Sequence, residues 1–319
     1  MRVLVATHGH CFDGLVSAAL FTRLHRHVAG PGHEYVYRAC GYGFNQYKPD
    51  EAELKYDEHA ILDYRLSPSP RVDWYFDHHR TALQLPGTRE LYEAGNARQR
   101  MFVDASYSSC AKLIMDVARR EFGLDAPELD ELVEWADRID AARFDDAAQA
   151  ISQEHPVRRL VRVVEHTGND AFLRKVAPDL LTRPLPDIAA SSAIRKRYRP
   201  LGKSLDRFVK QLRDKCEQRG RVIFADLSDG YLDSAGKFVT YAMFPESVYS
   251  VLLGRQGNGA KILVGYNPWS GHPRDADISA ICARYGGGGH PYVGGIPFRE
   301  TEYDQARLAA REIVSELEG

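Results

Sequence analysis

Four short stretches of the 319-residue chain combine residue types that do chemistry together. "THGHCFDG" sets His8, His10, Cys11 and Asp13 within a few residues, and "AILDY" carries Asp63. "FDHH" carries Asp77, His78 and His79, and "GGGGH" runs from Gly286 to His290. Carboxylates mixed with imidazoles suit Mn²⁺ or a similar divalent ion, and a thiolate adds a preference for softer metals. Two such ions roughly 3.5–4 Å apart hold a phosphoryl group and lower the pKa of a shared water. One carboxylate must then bridge them, and Asp63 is the candidate bridge. In the glycine stretch, consecutive backbone N–H groups without side chains can wrap an anion, with His290 as a further donor. It is not a P-loop, because no Lys-Ser/Thr follows. Nor is it a Rossmann turn, because it follows a helical pattern instead of preceding one. Each stretch also has a plainer reading: DHH occurs by chance, and glycines after a helix often only terminate it.

Delivering these residues to one place needs a particular set of elements. "RVLVAT" reads as a buried strand, and "GLVSAALFTRLHRHV" then switches to helical spacing. "EYVYRAC", "HAILDY" and "VDWYFD" are further short apolar runs bounded by polar or proline-containing loops. Strands spaced this way, some with helices between them, predict an α/β fold with a mainly parallel N-terminal sheet and flanking helices. In such sheets ligands sit beyond the carboxyl ends of the strands. Three of these runs end in acids or histidines, so the sheet would bring them into one cleft.

From about residue 108 the pattern turns helical, with Pro127 well placed at a helix start. Residues 1–180 are expected to form the catalytic domain, and 181–220 a proline-containing linker with a basic helix. Residues 221–319 are expected to form a smaller C-terminal α/β domain. Its strands are expected at "RVIFADL", "VTYAMF", "YSVLLGRQ" and "AKILVGYNP", with a helix at "DADISAICARY". Residues 195–221 hold eleven Lys or Arg against Asp206, Asp214 and Glu217. That is either a solvated helix face or an electropositive wall for polyanions.

A formal net charge of −2 argues against a chain coated in basic residues for duplex binding. Five scattered cysteines without a CxxC, and polar residues too early for a signal peptide, predict a reduced, cytoplasmic protein. No apolar run approaches a membrane span.

Asp77-His78-His79 in the N-terminal part and "YGGGGHPYVGG" in the C-terminal part resemble the two signatures of DHH/DHHA1-family phosphoesterases, in the family's order. The resemblance spans nearly the whole chain. It implies an enzyme that hydrolyses phosphate esters at a dinuclear centre with two Mn²⁺, or another divalent metal, per chain. Carried over by position, Asp63 would bridge, His78 would ligate, Asp77 would orient a histidine and His79 would face the scissile phosphate. Asp140 in "IDAARF" fits the family's last metal-binding aspartate, followed four residues later by Phe144, and Asp137 is the fallback. Asp13, with Ser17 four residues on, takes the second position of the first motif. At the first position relatives carry an aspartate and this chain does not. Either His10 or Cys11 substitutes as ligand beside His8, or the first metal has a reduced shell, or one metal site is lost and the protein binds without cleaving. Gly287, Gly288, Gly289 and His290 would hold a phosphate or base of the substrate. Relatives often place an arginine where this chain has Asn267. Trp269, Tyr285 and Tyr292 flank the loop as stacking candidates.

The expected substrate is a short oligonucleotide or linear dinucleotide. Cyclic dinucleotides, 3′-phosphoadenosine 5′-phosphate and polyphosphate are the enzyme alternatives, and a non-catalytic nucleic-acid-binding module is the alternative of another class. A homodimer is among the states that the sequence allows.

Overall fold

The computed structural model describes residues 1–42, 46–49, 55–95, 100–233, 236–256 and 259–319. The chain divides into two compact units, one of Met1–Arg143 with Glu154–Tyr198 and one of Phe144–Gln153 with Arg199–Gly319.

The first unit opens with β1 (Arg2–His8), α1 (Phe12–Ala29), β2 (Glu34–Cys40), β3 (Glu58–Leu62) and β4 (Trp74–Asp77). It continues with α2 (Thr88–Ala94), β5 (Arg100–Val103), α3 (Cys110–Phe122) and α4 (Asp130–Asp140). After α5 (Ala147–Ile151), which belongs to the second unit, come α6 (Pro156–Thr167), α7 (Asp170–Asp179) and α8 (Leu185–Ala189). The five strands form a wholly parallel sheet in the order β2-β1-β3-β4-β5. Its strand β1 is an unbroken apolar run, Val3 to Ala6, fully buried as a strand covered on both faces must be. β1 leads to β2 on one side, and the chain then returns to place β3 on the other. The order therefore reverses between β1 and β3, the switch point where open α/β sheets leave a crevice. His8 ends β1, Asp63 follows β3 and Asp77 ends β4, so the strand-end acids and imidazoles do share one rim.

α9 (Ser192–Lys215) begins in the first unit and continues in the second. Leu205, Phe208 and Leu212 bury one stripe of it against Ala225, Leu227, Val239 and Leu252. Arg195, Lys196, Arg197, Arg199 and Arg207 stay exposed. The second unit then runs through β6 (Glu217–Arg219), β7 (Val222–Tyr231), α10 (Gly236–Met243), β8 (Tyr249–Gln256) and β9 (Gly259–Tyr266). α11 (Ile278–Ala283), β10 (Gly288–His290), β11 (Val293–Arg299) and α12 (Tyr303–Glu318) complete it. Its mixed sheet has the order β10-β11-β9-β8-β7-β6. Ile262, Val264 and Ile296 form its core with Ala306, Ala310 and Ile313 of α12.

One expected strand is a helix. All of "VTYAMF" but its last residue lies in α10, because β7 and β8 run parallel and a parallel pair needs a crossover between its strands. Among the described residues no helix is long and apolar enough to cross a membrane.

Candidate metal centre

The turn from β1 into α1 is built so that side chains three to five residues apart face one spot. Gly9 N donates to Cys40 O at 2.8 Å, and a Cβ on Gly9 would lie 2.7 Å from that of Ala39. A Cβ on Gly14 would lie 2.1 Å from His8 O, so only glycine lets α1 start this close to the end of β1. Asp13 is buried, and its carboxylate accepts from Cys110 N at 2.7 Å and Ala111 N at 2.9 Å. Those amides begin α3, where an anion is favoured, so Asp13 joins two helix starts at the rim.

Asp63 adopts a left-handed φ of 52°, which sets its carboxylate back toward β1 and β4. Such a backbone costs a non-glycine residue roughly 1 kcal/mol or more and persists where the surroundings enforce it. Here Asp63 N donates to Phe76 O at 2.9 Å. Its Oδ1 lies 3.5 Å from His78 Nε2 and 3.8 Å from His79 Nδ1, and its Oδ2 lies 3.5 Å from His8 Nδ1. Among the described residues, buried Asp63 Oδ2 accepts no hydrogen bond, an expense a fold avoids unless a ligand arrives.

His78 Nδ1–H donates to Tyr107 O at 3.2 Å, which turns Nε2 toward the acids. Asp140 Oδ2 is 3.5 Å from that nitrogen and Asp13 Oδ2 is 3.9 Å from it. Asp77 sits behind: it accepts from Tyr75 OH at 3.0 Å and from His79 Nδ1–H at 2.7 Å, fixing the tautomer and direction of that ring. Three sets of donor atoms, each within 4.8 Å of one another, result: His8, Cys11 and Asp63; Asp63, His78 and His79; Asp13, His78 and Asp140. Asp63 belongs to two of them, and His78 to two.

Charge in the cluster is unbalanced toward the acids. Burial pulls the His78 imidazole down, yet its contact with Asp63 and the nearby Asp13 and Asp140 raise it to about 10. His79 is likewise pulled down by burial but raised to about 9, chiefly by Asp77. Burial lifts Asp63, and the imidazoles of His78, His8 and His79 more than reverse it, leaving the carboxyl well below its usual range. Asp13 and Asp140 are both pushed up, first by burial and with a further contribution from Asp63. The acids thus hold protons on two imidazoles, and a divalent cation that replaces those protons fits this donor set.

Asp137 lies outside the cluster: it accepts from Ser108 Oγ at 2.5 Å and Ser109 Oγ at 3.1 Å and pairs with Arg143. His10 is exposed, and its Nδ1–H donates to Glu165 O at 3.1 Å. In the second unit, Gly287 and Gly289 are needed by the close β10–β11 pairing, where an added Cβ would meet Gly295 O or Val293 O at 2.3 Å. Gly288 opens onto free space, and the His290 and Tyr292 rings stack at 5.6 Å. Asn267 is buried and donates to Pro245 O and Ser247 O, while Trp269 Nε1 donates to Phe144 O and Tyr285 OH to Glu312. Those three side chains therefore have structural partners.

Sequence reasoning missed Tyr42. The residue is 48% exposed, its ring lies 6.0 Å from the His8 ring and 4.6 Å from that of Tyr64, and the Arg65 guanidinium covers both tyrosines at 5.5 Å. The available signal was its place just beyond the end of β2, on the same rim as His8.

No protein-family model matches the sequence, and no curated protein matches it either. Solved structures do. A pGpG-specific phosphodiesterase, PggH, from Vibrio cholerae superimposes with a TM-score of 0.65 at 16% identity, covering 99% of each chain. The chain has the DHH-domain fold. The DHH domain of a protein described as belonging to a family of ribosomal proteins gives a TM-score of 0.61 at 14% identity, over 98% of this chain and 86% of the other. RecJ from Thermus thermophilus, in complex with Mn²⁺, gives 0.58 at 13% identity. This chain is covered to 99% there and spans about half of that RecJ, 52% of its length. The shared fold is the α/β architecture expected from the strand runs.

Proposed function

We propose that the chain is a metal-dependent phosphodiesterase that hydrolyses short oligonucleotides or linear dinucleotides at a two-cation centre. The observation that carries this is Asp63: a buried carboxylate at the sheet's switch point, shared by two donor sets and with one oxygen left without a hydrogen bond among the described residues. His8 and Asp63, with a third ligand from position 10 or 11, would hold one cation. Asp13, His78 and Asp140, with Asp63, would hold the other, and Mn²⁺ suits this mixture of oxygen and nitrogen donors. When bound, the pair supplies a water of lowered pKa and positive charge at the phosphoryl group.

The chain's own groups do the rest. Asp77 accepts from His79 Nδ1–H, so the other ring nitrogen is the one presented to a phosphoryl oxygen. Asp77 also favours the protonated ring, and a proton on that outer nitrogen of His79 would be donated where negative charge develops on the phosphoryl group. The exposed Tyr42 ring beside His8 offers a face on which a nucleobase stacks, which favours nucleotides over inorganic chains of phosphate. Gly287, Gly288, Gly289 and His290 of the second unit are assigned to a phosphate or base of the substrate, through backbone N–H groups and the imidazole. The substrate named for PggH, pGpG, is the first linear dinucleotide to try.

The test is turnover of labelled pGpG and other dinucleotides by purified full chain with Mn²⁺, beside Asp63→Ala. Release of mononucleotides by the wild type and its loss in the variant are expected. Failure to cleave any member of a phosphoester panel, with no difference between wild type and Asp63→Ala in metal content, overturns the proposal.

A further inference from the structure

His8 and Asp63 leave a third ligand to be found, and the β1–α1 turn decides between the two neighbours that offer one. His10 takes a left-handed φ of 56°, its N–H is bound to Gly168 O at 3.1 Å, and its imidazole is exposed and donates to Glu165 O. One left-handed residue reverses the direction of the side chains around it. Cys11, as N-cap of α1 in an extended conformation, is therefore the residue that comes back to the rim. Its sulfur, an imidazole nitrogen of His8 and an oxygen of Asp63 lie within 4.8 Å of one another. Asp63, 2% exposed, independently points to a ligand there, because among the described residues its Oδ2 accepts no hydrogen bond, and it lies on the His8 side at 3.5 Å from Nδ1.

We infer that Cys11 binds the cation as a thiolate, so that His8, Cys11 and Asp63 form a sulfur-containing position that takes Zn²⁺, Co²⁺ or Fe²⁺ in preference to Mg²⁺. The inference rests on the metal centre proposed above and names the ligand that distinguishes its two positions. On binding, the S–H bond breaks, the proton passes to solvent and the sulfur–metal bond forms. The remaining donors, Asp13, His78 and Asp140, are nitrogen and oxygen only, and suit a harder ion such as Mn²⁺. The two positions therefore differ in softness, and a mixed-metal centre follows from the sequence of one turn.

Cobalt is the probe, because thiolate ligation gives Co²⁺ a near-ultraviolet charge-transfer band that oxygen and nitrogen ligands do not. Purified full chain is loaded with Co²⁺, its cobalt content is measured, and the absorption spectrum is recorded for wild type and variants. The wild type, His10→Ala and Cys216→Ser are expected to show the band. Cys11→Ser is expected to lose it, and Cys11→Asp to lose it while keeping bound cobalt, which shows that the fold and the site survive. Bound cobalt without the band in the wild type, or a band that persists in Cys11→Ser, overturns the inference and leaves the metal centre standing. A wild type that retains no cobalt overturns both the inference and the centre on which it rests.

Discussion

The electrostatics of the cluster make a prediction whose sign depends on whether a cation is present. In chelator, His78 and His79 carry their positive charge on protons. His78 stands at about 10 in the folded chain against about 6.5 in an unfolded one. A group raised on folding contributes stability that is complete below its unfolded pKa and is lost as pH rises through the folded one. The limiting slope is about 1.4 kcal/mol per pH unit for each proton held only by the folded state. His79, raised to about 9, leans partly on the same Asp63, so the two contributions are not additive. Counting one proton, the chelated first unit loses about 3 kcal/mol between pH 6.5 and 9. With Mn²⁺ the direction reverses, because ligands must shed protons to bind and the ion competes better as pH rises.

The assay is urea unfolding at fixed ionic strength across that window, with and without Mn²⁺. Because the chain has two units, the transition of the first must be isolated. In a Trp269→Phe background the remaining tryptophans, Trp74 and Trp135, both report on it. Asp63→Asn should flatten the chelated slope, since a charge that helps to hold both protons is gone. A chelated midpoint that stays level or rises from pH 6.5 to 9 refutes this charge balance. Parallel curves with and without Mn²⁺ refute the metal assignment.

Gly14→Ala should cost about 1–3 kcal/mol and lower metal content, because its Cβ would stand 2.1 Å from His8 O and α1 must shift; thermal unfolding and elemental analysis check it. For Tyr42→Ala, loss of a stacking face worth about 1–3 kcal/mol per base predicts a KM for dinucleotides raised about 10- to 100-fold, with Tyr42→Trp near wild type. An unchanged KM would remove Tyr42 from the binding surface. Asp77→Asn should lower kcat by about 10- to 100-fold while metal content holds, since it unfixes the His79 ring without removing a donor from the cluster. A kcat within about twofold of wild type would contradict the positioning role.

How much of this was legible in the sequence depends on the length scale of each feature. The parallel sheet was, because β1, β2, β3 and β4 are short apolar runs, and β1, β3 and β4 end at the acids and histidines themselves. α10 was not: "VTYAMF" has a strand's composition, and only the parallel pairing of β7 with β8 requires a crossover helix there. β5, four residues at the sheet's edge, is too short and too little buried to leave a periodic signal.

Within the site, the ambiguities that the sequence leaves are those that local spacing cannot resolve. Asp137 and Asp140 lie three apart on α4 and share a face, so helical periodicity offers both to the cluster. What separates them is the company of Asp137: Ser108, Ser109, Lys112 and Arg143 satisfy its carboxylate, and none of them is near in sequence except Arg143. Asp140 instead faces His78. His10 and Cys11 differ by a single backbone dihedral, since a φ of 56° at residue 10 sends one side chain to Glu165 and brings the next to Asp63. That dihedral is in turn held by a bond to Gly168, far along the chain, where a Cβ would strike the His10 backbone at 2.8 Å. A glycine remote from every motif thus selects which of two adjacent side chains lies beside Asp63. Gly168→Ala, far from any ligand in sequence, should weaken the cobalt–thiolate band as Cys11→Ser does while leaving the sulfur in place. A band of full strength in that variant would show that the turn at residue 10 is not what presents Cys11.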